Sequence, residues 1–432
     1  MPSTRTELRS DPTPFHGVSI YAISRLDSLA KQLTEILSMH LSVQNRAKSR
    51  VLLIPLTLCA VFTSACTSFN PAEDPKITAE AQKKKTELLE SVSTSWIQRR
   101  SREYGEWQSS NSDNENQLKS IIDKAPEQAT KKDRSIDAND RVTFFYLSTT
   151  EIWDKHFAPK MVAIPSGEFS IGGRDKKADS NEKPLKRIAI KKPFLVSKNP
   201  ITLGEFAYFV KKTGYKSDSG IKGCLFNSIF WQLGSEHGWA FPGYEQSFDH
   251  PVVCINKHDA LAYADWLRKV TNKNYRLLTE AEYEWAASGG KDGAYHWGDT
   301  YEEGKGNCSV RGTEGVKPVG SYESNSFGLF DMAGGPTTYV QDCFLDNYEA
   351  LPADGSAVKQ GKPAGGLVDK LAETYKPDEC LSSVRGGSWW VVGLFQNTYH
   401  GCENSLRISK RSFGNINSRQ FNRGLRLARD IP

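Results

Sequence analysis

The sequence has no long hydrophobic run, no strong excess of either charge, no CxxC pair and no compact basic stripe. Its main apolar run, residues 51–62, covers about a dozen residues, well short of the roughly 20 that a membrane-spanning helix needs. The 432 residues carry a net charge of only +5, and basic runs such as 83–85 are not interleaved with aromatic residues. This composition predicts a globular protein with polar connections, and neither a membrane-embedded nor a nucleic-acid-binding one.

A secretory signal is predicted near the N-terminus. A basic stretch, the apolar run 51–62 and small residues ending in Cys66 follow one another, which is the order of a signal peptide. The Ser-Ala-Cys ending resembles a bacterial lipobox, in which Cys66 would be diacylated. Thr63 stands where a lipobox usually has Leu. Plain secretion and an uncleaved anchor therefore remain as alternatives.

The boundaries of this signal follow from where its basic stretch begins. Met39 lies shortly before that stretch, whereas residues 1–38 fit no targeting pattern. We therefore interpret 1–38 as a non-native extension and 39–66 as the signal peptide. Thr67 follows Cys66, in place of the Asp that retains Gram-negative lipoproteins at the inner membrane. The expected location is the outer membrane, reached through the lipid anchor.

Six cysteines follow Cys66: Cys224, Cys254, Cys308, Cys343, Cys380 and Cys402. An even number in an oxidising compartment favours disulfides over a metal site, but six cysteines allow fifteen pairings. Cys343 and Cys380 flank a long insertion, and a bridge between them would contribute roughly 3–4 kcal/mol through loop entropy. We predict that bridge, and a second between Cys224 and Cys254.

The chain beyond the signal divides into two parts. Residues 67–158 contain a helical pattern with an apolar stripe at 76–108, followed by polar sequence and a short aromatic segment. They are predicted to be a stalk that acts as a spacer, with a dimerising helix as the alternative.

From residue 159 to residue 432 the chain reads as one α+β domain. Residues 161–173 predict a strand, a turn and a second strand. Thr202, Asn256 and Thr279 each stand three residues before a carboxylate, which is the pattern of a capped helix start. Beyond residue 290 helical periodicity disappears, so the remainder is predicted to consist of loops and short strands.

Nine segments, in this order, resemble the formylglycine-generating enzyme (sulfatase-modifying factor) family. They are 161–169, 250–254, 259–267, 276–286, 297–299, 318–321, 325–334, 384–389 and 424–428. The core of that family is a variant of the C-type lectin fold. The resemblance implies an irregular, loop-rich C-type-lectin-like domain over 159–432, preceded by the helical stalk.

The resemblance does not extend to the catalytic cysteines. Family oxidases carry two cysteines after the Gly-Gly-Ser motif, which bind copper through the soft thiolates that Cu(I) requires. Val391 and Gln396 occupy those positions, and Cys402 beyond them stands alone. Copper binding and formylglycine formation are therefore not expected, and no catalytic residue is assigned.

The calcium positions of the family are also altered. Gly335 and Thr338 stand where the family usually has Asn and Glu, and calcium needs six to eight oxygen ligands. A calcium ion remains possible near Asn307. Other branches of the family use iron, but only His296 and His400 fall near the expected pocket. A metal-dependent oxidoreductase acting on a peptide or small thiol is the alternative function.

The segment 389–423 is predicted to be a ligand-binding face. It is rich in aromatic residues, Asn, Ser and Arg, the composition that recognition loops favour. It also resembles the terminal segment of lectin-fold proteins diversified by retroelements, and 385–389 and 424–428 match the constant brackets of that segment. The predicted ligand-facing residues are Trp389, Trp390, Phe395, Asn397, Tyr399, His400, Asn415, Asn417 and Phe421.

Several arginines in the same region have a structural interpretation. Arg407 or Arg411 is expected to be an ordinary structural arginine of the family, and Arg426 is expected to be buried against a carboxylate or backbone. The prediction as a whole is an exported, lipid-anchored display protein that binds a protein or a glycan. No cofactor is predicted.

Overall fold

The computed structural model describes residues 75–124, 150–217, 224, 238–308, 315–361, 380–388, 398–417 and 419–431. Four helical segments come first: α1 (Pro75–Ser91), a π-helical turn (Val92–Trp96), α2 (Ile97–Asn111) and α3 (Asn114–Lys124). The later helices are α4 (Leu203–Thr213), α5 (Lys257–Thr271), α6 (Glu280–Ser288) and α7 (Thr398–Ser405).

The N-terminal helices pack onto the domain through their apolar stripe. Val92 is 0% and Trp96 2% exposed, and both belong to the main hydrophobic core. The indole of Trp96 lies so close to Gly204 in α4 that a Cβ there would meet its Nε1 at 2.3 Å. Only glycine leaves room for this ring, so the fit between the two elements is specific.

Polar contacts reinforce this packing. Arg100 donates to Glu205 Oε1 at 3.0 Å and to the Ala158 carbonyl at 2.7 Å. In α3, Leu118 is fully buried in the same core. The predicted helical region is therefore present, but residues 75–124 form part of the folded unit. This differs from the expected spacer, because the apolar stripe finds its partner on the domain itself.

The largest sheet has five antiparallel strands in the order β1-β2-β5-β11-β6. They are β1 (Glu151–Ile152), β2 (Met161–Ile164), β5 (Phe194–Ser197), β11 (Leu427–Asp430) and β6 (Tyr275–Leu277). The C-terminal strand β11 lies between β5 and β6, where Ala428 pairs with both Val196 and Arg276. The last strand of the chain is thereby an interior strand of the sheet, paired on both sides.

A second sheet carries the segments that bracket the candidate site. Its order is β10-β7-β8-β9, with β7 (Thr337–Cys343), β8 (Ser382–Arg385), β9 (Arg411–Gly414) and β10 (Arg423–Gly424). β10 runs parallel to β7, whereas the other pairs are antiparallel. A hairpin of β3 (Gly167–Ile171) and β4 (Lys186–Ile190) completes the strands that the structure describes.

All three predicted helix starts have the expected caps. In α4, α5 and α6 the side chains of Thr202, Asn256 and Thr279 accept from the backbone three residues on, and the acidic partner completes each capping box. The helices end at Gly214, Asn272 and Gly289, each with positive φ. Beyond residue 290 the described chain contains one short helix, α7, so the loop-rich α+β interpretation is confirmed.

Three disulfides lie within the described chain: Cys224–Cys254, Cys308–Cys402 and Cys343–Cys380. The first and last are the pairings expected from the sequence. The second closes 94 residues and was not among the expected pairs. No helix among the described residues is long and apolar enough to cross a membrane.

We predict that Trp96→Ala destabilises the protein by about 3–5 kcal/mol, the usual cost of emptying a large buried aromatic site. Denaturant unfolding with the disulfides intact measures this difference. Gln98→Ala, on the exposed side of the same helices, is the control, with a change within about 0.5 kcal/mol. Equal stability of the two variants would show that the helices do not share the core of the domain.

Candidate functional site

The floor of the candidate site is a buried arginine–glutamate network. The first two turns of α6 supply Glu280 and Glu284, four residues apart, on one face. Arg385, at the end of β8, is completely buried, contacts Glu280 Oε1 at 3.4 Å and also pairs with Glu284. Arg411, at the start of β9, donates to Glu280 Oε2 at 2.8 Å. One carboxylate thus joins two strands to one helix.

A second buried pair holds the chain that follows α7. Arg407 donates to Glu182 Oε1 at 2.7 Å, and the Ser409 hydroxyl donates to Glu182 Oε2 at 2.8 Å. Arg426 donates to the backbone carbonyl of Ser197 at 2.6 Å. The expectation of structural arginines is therefore confirmed: Arg407 and Arg411 form buried ion pairs, and Arg426 binds backbone.

Two glycines after Arg385 set the first bracket of the site. Gly386 has φ +84°, and a Cβ on it would lie 2.6 Å from the Tyr283 hydroxyl. A Cβ on Gly387 would lie 2.1 Å from the carbonyl oxygen of Ser405, at the end of α7. Both positions require glycine, because the backbone of this turn lies directly against its neighbours.

Ser388, in the first bracket, contacts two residues of the candidate ligand segment. The Ser388 amide donates to Ser405 Oγ at 3.1 Å, and Asn422 Nδ2 donates to Ser388 Oγ at 2.7 Å. Arg423, next in the chain, donates to the Tyr339 hydroxyl at 3.0 Å. The ends of the segment are therefore fixed to each other and to β7.

The predicted ligand-facing residues other than Phe421 fall into three groups. Asn415 and Asn417 are partly exposed beyond β9, where Asn417 Oδ1 accepts from His258 Nε2 at 3.0 Å. Tyr399 and His400 belong to α7, of which only the backbone is described at these positions. Outside the described residues lie Trp389, Trp390, Phe395 and Asn397.

Phe421 differs from the expectation of an exposed ring. It is 0% exposed and packs in a small core with Val253, Val316 and the Cys224–Cys254 disulfide. Its backbone carbonyl also accepts from the Tyr244 hydroxyl at 3.2 Å. An aromatic composition alone does not distinguish a ring that faces a ligand from one that faces a disulfide, so Phe421 belongs to the core.

An aromatic loop beside α7 lies outside the predicted ligand-facing set. Tyr295 and Trp297 stack with ring centroids 4.9 Å apart, and the Tyr295 hydroxyl donates to the Glu403 carbonyl of α7 at 2.6 Å. The ring centroid of Tyr301 lies 6.2 Å from that of Tyr295. Burial lowers the pKa of the neighbouring His296, which favours a neutral ring. In the sequence, the clustering of these aromatic residues within seven positions indicates an aromatic surface loop.

The Cys308–Cys402 disulfide bears on the copper site that the family implies. Cys402 is the described cysteine nearest to the family's copper positions, and its sulfur is bonded to Cys308. Neither atom is then a thiolate, and Val391 and Gln396 have no sulfur. The residues therefore do not fit a copper ion held by two thiolates.

The expected calcium position is closely packed. Asn307 is buried, and its backbone contacts Gly334 so closely that a Cβ there would lie 2.5 Å from the Asn307 carbonyl oxygen. Residues 309–314 lie outside the described chain. Within the described part, no three His, Cys, Asp or Glu side chains are grouped to hold a metal ion.

Two ionisable groups with shifted pKa values, the partly buried Lys257 and the buried Asp342, adjoin the arginine network. Lys257 Nζ donates to the Gln341 carbonyl at 2.9 Å and to Ser382 Oγ at 2.8 Å. Burial lowers the pKa of Lys257 to about 8, and burial together with the Glu280 charge raises the pKa of Asp342 to about 7. The charge state of this pair therefore changes near neutral pH.

The geometry defines an irregular α+β domain in which a buried ion network supports a loop-built face. Residues 150–431 match the family described as Sulfatase-modifying factor enzyme 1-like domain. The chain belongs to this family. The match begins nine residues before the expected domain start and includes β1.

Relatives and a solved structure agree with this assignment. A formylglycine-generating enzyme of Thermomonospora curvata is 28% identical over 315 residues, covering 64% of this chain and 95% of the relative. The inactive C-alpha-formylglycine-generating enzyme 2 of Bos taurus is 29% identical, covering 45% and 73%. The structure of PvdO from Pseudomonas aeruginosa matches with a TM-score of 0.52 and 29% identity, covering 65% and 98%.

We predict that Glu280→Gln lowers the free energy of unfolding by about 3–5 kcal/mol, because Arg385 and Arg411 lose a shared buried counter-charge. Denaturant unfolding again provides the measurement. Glu168→Gln, which breaks a largely exposed pair with Arg187, is the matched control and should change stability by at most about 1 kcal/mol. Similar losses in both variants would contradict a network that depends on burial.

Proposed function

We propose that the protein is an exported, lipid-anchored ligand-binding protein built on a sulfatase-modifying-factor domain. The observation that carries the proposal is the Cys308–Cys402 disulfide. It removes the only cysteine near the copper positions from thiolate chemistry, and with two further disulfides it occupies all six cysteines after residue 66. The disulfide therefore argues against copper-dependent oxidase activity and in favour of an oxidising compartment.

Export is supported by the same three disulfides. Such bonds persist in oxidising compartments and are rare where thiol reductants are abundant. Only Cys59 and Cys66 are left: Cys59 lies in the apolar run of the signal peptide, and Cys66 is the proposed acylation site. A lipidated cysteine at the mature N-terminus needs a free thiol, and Cys66 is the cysteine whose preceding residues resemble a lipobox. Thr67 after it favours the outer membrane.

Ligand binding is supported by the way the brackets are built. Ser405 lies against Gly387, and Asn422 donates to Ser388, so two positions of the segment are fixed to the first bracket. A face of this kind tolerates changes in its exposed residues while its floor is held by Arg385 and Glu280. That separation of frame and surface suits a display protein, whose ligand is a protein or a glycan.

One relative supports a function without oxidase chemistry. The bovine protein named inactive C-alpha-formylglycine-generating enzyme 2 shares this kind of domain at 29% identity. The family therefore includes a member whose name records inactivity. For the present chain, oxygen consumption by the purified protein with added copper or iron would contradict the proposal and favour a metal-dependent oxidoreductase acting on a peptide or small thiol.

Lipidation is tested by Cys66→Ser. We predict that the wild-type protein fractionates with membranes and incorporates labelled fatty acid, whereas the variant does neither. Mass spectrometry of the mature N-terminus gives the cleavage position directly. Cys59→Ser is the control, because it alters the apolar run without the proposed acylation site and should leave fractionation unchanged. An unlabelled protein, or a variant that keeps its label, would refute the anchor.

We further propose that a retroelement diversifies the codons for residues 389–423. Sequencing the 3′ end of the gene in many related isolates tests it. We predict that substitutions crowd into codons of this segment but spare Arg407, Arg411 and Phe421, because these side chains are buried. A segment as constant as its neighbours would remove diversification and leave a fixed ligand site.

A further inference from the structure

A cleft of about 240 Å³ lies between the N-terminal helices and the domain. One wall comes from α2 and the start of α3, and the other from residues 152–155 and 271–273. It shares no residue with the bracketed segment 389–423. The helical wall also lies outside the part of the chain that matches the family.

Three aromatic side chains at the base of the cleft hold one another in a fixed orientation. Tyr104 and Trp107 lie nearly parallel, with ring centroids 6.2 Å apart and planes 26° apart. Trp153 meets them edge-on, at 5.2 Å from Tyr104 and 6.1 Å from Trp107. The indole of Trp153 is buried, and its Nε1 donates to the Ala158 carbonyl at 2.8 Å. Trp107, which is only half-buried, is thus a preorganised platform.

The remainder of the cleft is polar. Glu115 accepts from Lys273 at 2.6 Å, and Asp154 accepts from the Tyr275 hydroxyl at 2.6 Å. Arg429 also pairs with both carboxylates, so they are held in place, and Glu115, the more exposed of the two, keeps further lone pairs for a ligand. The polar side chains that line the cleft are Gln108, Asn111, Ser112, Glu115, Asp154, Lys155, Thr271 and Lys273.

The carboxylates along this lining are already paired. Glu115 pairs with Lys273, and both Glu115 and Asp154 pair with the fully buried Arg429, so a strongly charged ligand finds little unpaired charge there. Most small-molecule sites are mainly apolar, with few polar groups. Here the polar groups outnumber the aromatic ones, and they offer both donors and acceptors around a flat apolar face.

We propose that this cleft binds one ring of a neutral saccharide. The apolar C–H face of a pyranose lies on Trp107, and its hydroxyls exchange hydrogen bonds with the polar rim. Gln108 and Ser112 are exposed at the mouth of the cleft, where they meet the ring or the next sugar. Aromatic contact supplies the apolar burial, and the rim, whose carboxylates are already paired, selects hydroxyls over charged groups.

The test is calorimetric titration of the full chain with cellotriose, chitotriose and methyl glucoside. At least one of them is expected to bind and to alter tryptophan fluorescence. Trp107→Ala should weaken that binding about tenfold or more, the loss expected for one stacked ring. Ser112→Trp, which fills the cleft and keeps the platform, should weaken it similarly. Glu106→Ala, beside Trp107 but outside the cleft, should leave affinity unchanged.

Circular dichroism and thermal melting of each variant separate loss of binding from loss of fold. Binding that survives both Trp107→Ala and Ser112→Trp would place the saccharide elsewhere and overturn the proposal. So would the absence of binding to all three saccharides. Titration with indole and adenine completes the set, since tighter binding of these planar compounds would identify an aromatic ligand class instead.

Discussion

The buried contact between Glu280 and two arginines is the interaction on which the candidate site depends. Charges removed from water are costly unless their geometry and hydrogen bonds compensate. Here one carboxylate meets Arg385 from β8 and Arg411 from β9, and Asp342 accepts from the Glu280 amide at 2.7 Å. The shared carboxylate therefore holds the end of β8 and the start of β9 at fixed positions relative to α6.

The turn at residues 386–388 and the end of α7 are fixed to that network through short backbone contacts. Gly387 allows the turn after Arg385 to lie against Ser405, and the Cys308–Cys402 disulfide holds α7 from its other side. The arrangement explains why loss of the family's cysteine pair need not alter the fold. The sulfur of Cys402 has a structural partner in Cys308, so this cysteine contributes to the frame of the site.

The sequence allowed prediction of features that depend on neighbours along the chain. The three capping boxes and the Gly-rich first bracket are local patterns, so the residues within each pattern are enough to predict its backbone conformation. The packing of Trp96 on Gly204 joins positions more than a hundred residues apart, and an amphipathic stripe does not identify the surface it covers. The burial of Phe421 likewise depends on a disulfide that lies elsewhere in the chain.

The packing of the N-terminal helices changes how the proposed anchor would act. A spacer over 67–158 would hold the domain far from a membrane, but α1 already belongs to the folded unit. Only eight residues separate Cys66 from Pro75, and an extended chain of that length reaches at most about 29 Å. Acylation at Cys66 would therefore restrict the domain to the vicinity of the bilayer, and its ligands to those found at that surface.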